Sequence, residues 1–195
     1  MLEVEIKLGI GAAYAEIERL EAVGARLVQP RGLEVNVLLD LPGQPLRARA
    51  AMLRVRRYGG RSFLTYKEPV PGPTGYKVRR EIEVIVPDFD ATIRTLEASG
   101  LMKMWTYMKY RTSYELEDLH LLVDETPIGN YLELEGTRSA IDAAAARLGR
   151  SAVDYSTLSY RALYEMDCAK RGVVPGDMIF GMEATDRGAS GLVNS

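Results

Sequence analysis

The chain has 195 residues, 47% hydrophobic and 27% charged, a balance suited to one globular domain. Its formal net charge of −2 excludes the global basic excess that recruits nucleic acid or an acidic membrane. A single cysteine, Cys168, and a single histidine, His120, exclude a disulfide framework, a Cys-rich zinc site and a His-pair metal site. Any metal here should therefore be a hard cation held by carboxylates.

The amino terminus, Met1-Leu2-Glu3-Val4-Glu5-Ile6-Lys7, is charged at once and lacks a signal-peptide core. No apolar run approaches the ~20 residues of a membrane span. With the lone thiol, this leads us to expect a cytoplasmic protein. Residues 2–8 alternate with period two, as a strand does, and residues 12–23 carry Ile17, Leu20 and Val23 at helical spacing with Gly24 just beyond. A second strand is expected over 33–39, followed by a turn from Asp40 to Pro45. Residues 52–58 and 61–67 flank Gly59-Gly60 and predict a hairpin.

Residues 69–75 are a Pro/Gly loop, and 76–86 alternate as a long strand ending at Pro87. Asp88 or Asp90 can cap a helix carrying Ile93 and Leu96, closed by Gly100. Strands follow over 104–116 and 119–125, then a turn at Pro127–Asn130 and a short strand over 131–135. An Ala-rich helix spans 139–148, and a last helix runs from about Ser159 to Lys170. About eight hairpin-joined strands with inserted helices predict an α+β fold: an eight-stranded antiparallel closed β barrel with helices packed outside. Residues 1–170 form that domain, and 171–195 form a tail or surface wrap.

The strands share a charge pattern. Residues two apart lie on one face, so Glu3, Glu5 and Lys7 share a face. So do Arg54 and Arg56; Lys77, Arg79, Glu81 and Glu83; Lys109 and Arg111; and Glu133 and Glu135. Any one pair reads most simply as a solvated strand face. Together they fit a barrel whose apolar faces (Leu2, Val4, Ile6; Leu53, Val55; Ile82, Val84) pack under helices while the charged faces turn inward. A lumen of both signs asks for an anion with many oxygens and for a cation, and a metal–polyphosphate complex supplies both.

At these residues the chain resembles the CYTH superfamily, the triphosphate tunnel metalloenzymes that include class IV adenylate cyclases, thiamine triphosphatases and inorganic triphosphatases. Glu3-Val-Glu5-Ile-Lys7 is similar to its E-x-E-x-K signature. The resemblance continues in order through Leu53-Arg-Val-Arg56, Leu64-Thr-Tyr-Lys67, Lys77-Val-Arg79-Arg-Glu81-Ile-Glu83, Lys109-Tyr-Arg111, Val123-Asp124-Glu125, Gly129-Asn-Tyr-Leu-Glu133-Leu-Glu135 and Ser159-Tyr160.

The resemblance implies an eight-stranded tunnel with Glu3, Glu5 and Lys7 as its catalytic signature. Lys7, Arg54, Arg56, Lys67, Lys77, Arg79, Lys109 and Arg111 would clamp phosphate oxygens. Glu3, Glu5, Glu133 and Glu135 would hold Mg²⁺ or Mn²⁺. Glu81 and Glu83 would complete the acidic lining, and Asp124 would serve the metal or orient a basic residue. The implied partner is a small-molecule triphosphate such as tripolyphosphate or ATP, with no nucleic acid or membrane, and the protein would be a monomer or homodimer.

The chain departs from some relatives in having Leu38-Leu39 where they carry an aromatic pair, and Leu158 where they carry Lys before Ser-Tyr. The second departure argues against a basic leaving-group assistant in the last helix. Three readings stay open: hydrolysis of a triphosphate, cyclisation of ATP, and non-catalytic binding of nucleotide or polyphosphate. His120 is expected to be structural or at the surface, Cys168 inert, and Trp105, Tyr107 and Tyr110 packing residues.

Overall fold

Period-two alternation gives each strand an apolar and a charged face, and closure of the sheet decides which one is inside. The computed structural model describes residues 1–181. Its strands are β1 (Leu2–Ile10), β2 (Arg26–Asp40), β3 (Met52–Tyr58), β4 (Arg61–Pro69), β5 (Lys77–Val86), β6 (Met102–Leu116), β7 (Leu119–Thr126) and β8 (Gly129–Glu135). They close into a barrel in the order β1-β5-β4-β3-β2-β6-β7-β8, every pair antiparallel. The helices are α1 (Ala13–Ala22), α2 (Pro45–Ala48), α3 (Phe89–Ala98), α4 (Arg138–Arg147) and α5 (Tyr160–Arg171). The expected α+β closed barrel is the fold observed, and none of the described helices is long and apolar enough to cross a membrane.

The hydrophobic core lies outside the barrel wall. Ile6, Leu8, Leu121, Val123, Leu132 and Leu134 pack under Leu20 of α1 and Ile141, Ala144 and Ala145 of α4. Val35, Val37, Leu39 and Val55 pack under Phe89 and Ile93 of α3. These outward apolar sets force their alternate neighbours, the charged residues, into the lumen. A third cluster joins Trp105 and Tyr107 to Tyr160, Tyr164 and Cys168 of α5. Trp105 and Tyr107 share the face of Lys109 and Arg111, so α5 packs against the lumen side of β6.

Local chemistry accounts for the element ends. Gly59 and Gly60 both take positive φ (58° and 75°), as a two-residue hairpin turn requires. Asp88, rather than Asp90, caps α3 by accepting from Ala91 N at 2.6 Å. Ser159 caps α5 by accepting from Ala162 N at 3.2 Å.

The structure corrects three expectations. The second strand begins at Arg26, not residue 33, because the chain crosses Pro30 and Gly32 through register shifts instead of leaving the sheet. The turn after Asp40 leads into α2, whose first turn Asp40 holds by accepting from Leu41 N, Leu46 N and Arg47 N at 2.8–3.1 Å. Ile82 and Val84 point outward as expected but remain exposed, since the helices cover other strands. Beyond α5, Met178 lies against β6, donating from its N to Thr106 O (3.0 Å) and accepting from Met108 N (2.8 Å). Residues 182–195 of the expected tail lie outside the described residues.

Candidate functional site: a charged tunnel

The lumen holds a cavity of about 640 Å³. Every residue expected at the site lines it except Asp124. Register explains the convergence. Across β1 and β8, Glu5 opposes Glu135 and Lys7 opposes Glu133; across β1 and β5, Glu3 opposes Arg79 and Glu5 opposes Lys77.

One acidic group stands out. Glu3, Glu5 and Glu135 each bring a carboxylate oxygen within 4.8 Å of the others. Burial and the nearby carboxylates of Glu133, Glu3 and Glu5 push Glu135 up to about 8. Burial also acts to raise Glu5, but Lys7 and Lys77 outweigh it and hold its carboxyl well below the usual range. Glu3 accepts from Lys67 Nζ at 2.6 and 2.7 Å, and Glu5 accepts from Lys77 and, at 3.2 Å, from Lys7. This oxygen-only donor set suits a hard divalent cation, which would relieve the crowding of like charge. Glu133, expected in the same group, instead pairs with Lys7 at 2.9 Å and with Arg111.

The basic side is a connected network. Asp124, fully buried, accepts from Lys109 at 2.8 Å, twice from Arg111 at 2.6 Å, and from the Tyr160 hydroxyl at 2.6 Å. It therefore orients basic residues and stands apart from the Glu3–Glu5–Glu135 group. Glu81 lies 3.3 Å from Lys67, and Glu83 accepts from Arg56 and from Thr65. Arg54 donates to the Tyr107 hydroxyl at 3.3 Å. The Nε atoms of Arg54 and Arg56 are buried with no hydrogen-bond partner among the described residues. Such unspent donors beside a polar cavity suit an oxygen-rich anion.

The sequence assigns no role to Glu34 or to Tyr160, although Ser159-Tyr160 belongs to the resemblance. Glu34 is completely buried, with Lys109, Arg56 and Arg111 at 3.5–3.8 Å, and Asn36 donates to it at 3.0 Å. Burial would raise Glu34, but those cations hold it low. Its signal was present: Glu34, Asn36 and Leu38 alternate against Val35, Val37 and Leu39. Tyr160 is deeply buried, and the Lys7 and Lys109 ammoniums stand 5.2 and 4.7 Å from its ring centre. Burial and Asp124 push its phenol far up, so it stays a donor.

Trp105 and Tyr107, expected to pack, pack against α5 and also line the cavity. Trp105 stacks on Tyr107 at 4.7 Å, carries Arg161 over its ring, and donates from Nε1 to Gly176 O at 3.0 Å. Tyr110 carries Arg31 over its ring at 3.6 Å. Cys168 is buried. His120 sits exposed at the cavity rim.

The chain is 29% identical over 143 residues to a putative adenylate cyclase of Methanocaldococcus jannaschii, covering 73% of this chain and 81% of that protein. Its fold is similar to that of a putative adenylate cyclase from Vibrio parahaemolyticus (TM-score 0.74, 18% identity, 84% of this chain and 97% of that one). It is also similar to a Hippeastrum protein described as a putative adenylyl cyclase with a dominant triphosphatase activity (TM-score 0.60, 15% identity, 89% and 97%). Both structural likenesses concern the fold. The CYTH domain model matches residues 1–159. The chain therefore belongs to the CYTH domain family.

Proposed function

We propose that this tunnel binds a small-molecule triphosphate together with Mg²⁺ or Mn²⁺ and hydrolyses a P–O–P bond. The observation that carries the reading is the pairing, in one cavity, of the Glu3–Glu5–Glu135 group with buried guanidiniums that have unspent donors. Glu3, Glu5 and Glu135 would hold the cation, with Glu133 beside them. When bound, the cation would neutralise phosphate charge. Lys7, Arg54, Arg56, Lys67, Lys77, Arg79, Lys109 and Arg111 would clamp the phosphate oxygens. Lys67 and Lys77, now paired with Glu3 and Glu5, would exchange those carboxylates for phosphate.

In the reaction, water adds to the terminal phosphorus and the bridging P–O bond breaks, releasing orthophosphate and a diphosphate. Phosphoryl transfer of this kind rests on positioning and charge stabilisation, so the chain needs no side-chain nucleophile. The near balance of lumen charge and the net charge of −2 favour a small ligand over nucleic acid. A cytosolic location fits the lone buried thiol.

Cyclisation of ATP to cyclic AMP and pyrophosphate is the second reading, favoured by the description of the 29%-identical relative. It needs the same clamp and, in addition, a 3′-hydroxyl held in line with the α-phosphorus. The deciding experiment incubates the purified full chain with tripolyphosphate, ATP or thiamine triphosphate, each with Mg²⁺ or Mn²⁺. Hydrolysis predicts phosphate release as the fastest reaction. Faster formation of cyclic AMP from ATP would replace it with the cyclase, and tight metal-dependent binding without turnover would make the protein a sensor.

A further inference from the structure

The cations of the tunnel meet their carboxylates in two ways. Asp124 docks Lys109 and Arg111 through hydrogen bonds of 2.6–2.8 Å, and Glu133 and Glu83 hold Lys7 and Arg56 at 2.9 and 3.0 Å. Glu34 is different. Its Oε1 accepts from the neutral amide of Asn36, and its Oε2 has no hydrogen-bond partner among the described residues. Yet Lys109 Nζ, Arg56 Nη1 and Arg111 Nη1 stand around it at 3.5, 3.6 and 3.8 Å.

Its position sharpens the contrast. Lys109, Arg111 and Arg56 line the cavity, whereas Glu34 is fully buried and is not part of the cavity wall. Strand pairing fixes this: Glu34 opposes Lys109 across β2 and β6, and its neighbour on the same face, Asn36, opposes Arg56 across β2 and β3. A carboxylate there acts on a ligand only through those cations. Burying them beside a cavity is costly without a counter-charge. Glu34 supplies that charge without taking their hydrogen bonds, which stay available to an arriving anion. The same charge opposes the anion, because a buried carboxylate close to the clamp repels each phosphate brought against it and is little screened by salt.

We propose that Glu34 is a positioning residue, the internal counter-anion of the clamp. It holds Lys109, Arg111 and Arg56 in place while the tunnel is empty and limits how tightly they grip polyphosphate, so that a diphosphate product leaves. This role rests on the triphosphate reading of the tunnel. It has a distinctive sign. Damage to a binding site lowers affinity, whereas removal of an opposing charge raises it.

The test is calorimetric titration of the full chain with tripolyphosphate in metal-free buffer, and with pyrophosphate with and without Mg²⁺. Glu34→Gln keeps the shape and the acceptor for Asn36 but removes the charge, so it should bind both anions about tenfold or more tighter than wild type. Glu34→Asp keeps the charge and should stay near wild type. Equal or weaker binding by folded Glu34→Gln would overturn the proposal, and so would Glu34→Asp binding as tightly as Glu34→Gln. If Glu34→Gln is unfolded alone, excess tripolyphosphate should restore its circular dichroism spectrum, since the ligand replaces the missing anion. A variant that stays unfolded with the ligand would also overturn the role. Wild type that binds neither anion in any of these buffers would remove the triphosphate reading and this role together; wild-type binding with no gain in Glu34→Gln would remove this role alone.

Discussion

Glu5 and Glu135 face each other directly across β1 and β8, two carboxyls opposed at the end of that ladder. Such a pair is unfavourable in any sheet, and burial worsens it. The two carboxyls part company: Glu5 is held ionised by Lys7 and Lys77, while Glu135 is raised to about 8.

A stability prediction comes directly from this. The folded Glu135 carboxyl keeps its proton to about 8, whereas 4.5 is its ordinary value. Its contribution is fully present below 4.5 and is lost as pH rises through 8. Glu135→Gln removes that dependence. In metal-free protein, the melting temperature of the variant relative to wild type should climb between these two pH values and level off above them. Thermal melts across that range check it; a pH-independent difference would contradict the shifted carboxyl.

Metal binding should show the same group from the other side. A cation held by Glu135 displaces its proton, so Mn²⁺ affinity should rise with pH up to about 8 and flatten above. Calorimetry in buffers of different ionisation enthalpy should detect proton release at neutral pH. Glu135→Gln should abolish both the release and most of the affinity. Glu5→Gln should lower turnover about 100-fold or more, at least the cost typical of disturbing a metal's supporting shell, with the circular dichroism spectrum retained.

Arg56 lines the cavity, holds Glu83 and flanks Glu34, and its buried Nε has no partner among the described residues. A hydrogen bond to a charged group contributes about 1.5–3 kcal/mol, so Arg56→Ala should weaken triphosphate binding roughly 10- to 100-fold. Titration with tripolyphosphate measures this. An affinity equal to wild type would take Arg56 out of the clamp.

The Tyr160–Asp124 hydrogen bond separates positioning from bulk packing. Tyr160→Phe keeps the ring under Lys7 and Lys109 but removes the donor, at a cost of about 1–3 kcal/mol. Asp124→Asn is harsher, since Lys109 and Arg111 lose a fully buried anion; about 3–5 kcal/mol is expected. Denaturant unfolding of both variants gives the order. A smaller loss for Asp124→Asn than for Tyr160→Phe would contradict the network.

Much of the barrel was legible because strand alternation is local. Glu3, Glu5 and Lys7 must share a face whatever the rest of the chain does, and the same covalent geometry sorted Arg54 with Arg56 and Lys109 with Arg111. Glu34 and Asn36 carry the same signal, but it is masked by the apolar Leu33, Val35, Val37, Leu38 and Leu39 around them. The onset of β2 at Arg26 was hidden by Pro30 and Gly32, which locally oppose strand but are accommodated by register shifts against β6.

By itself the sequence determined an alternating chain whose charged faces ask for a cation and a polyanion. Tertiary structure alone decided which charges meet. Glu133 and Glu135 are indistinguishable by pattern, yet pairing with β1 sets one against Lys7 and the other against Glu5. Asp124, Tyr160 and Glu34 become part of the basic network only when β2, β6, β7 and α5 converge. The physical reason is range: face is set by the backbone within one strand, whereas register and neighbours come from pairings between strands far apart in the chain, settled by packing of the whole barrel.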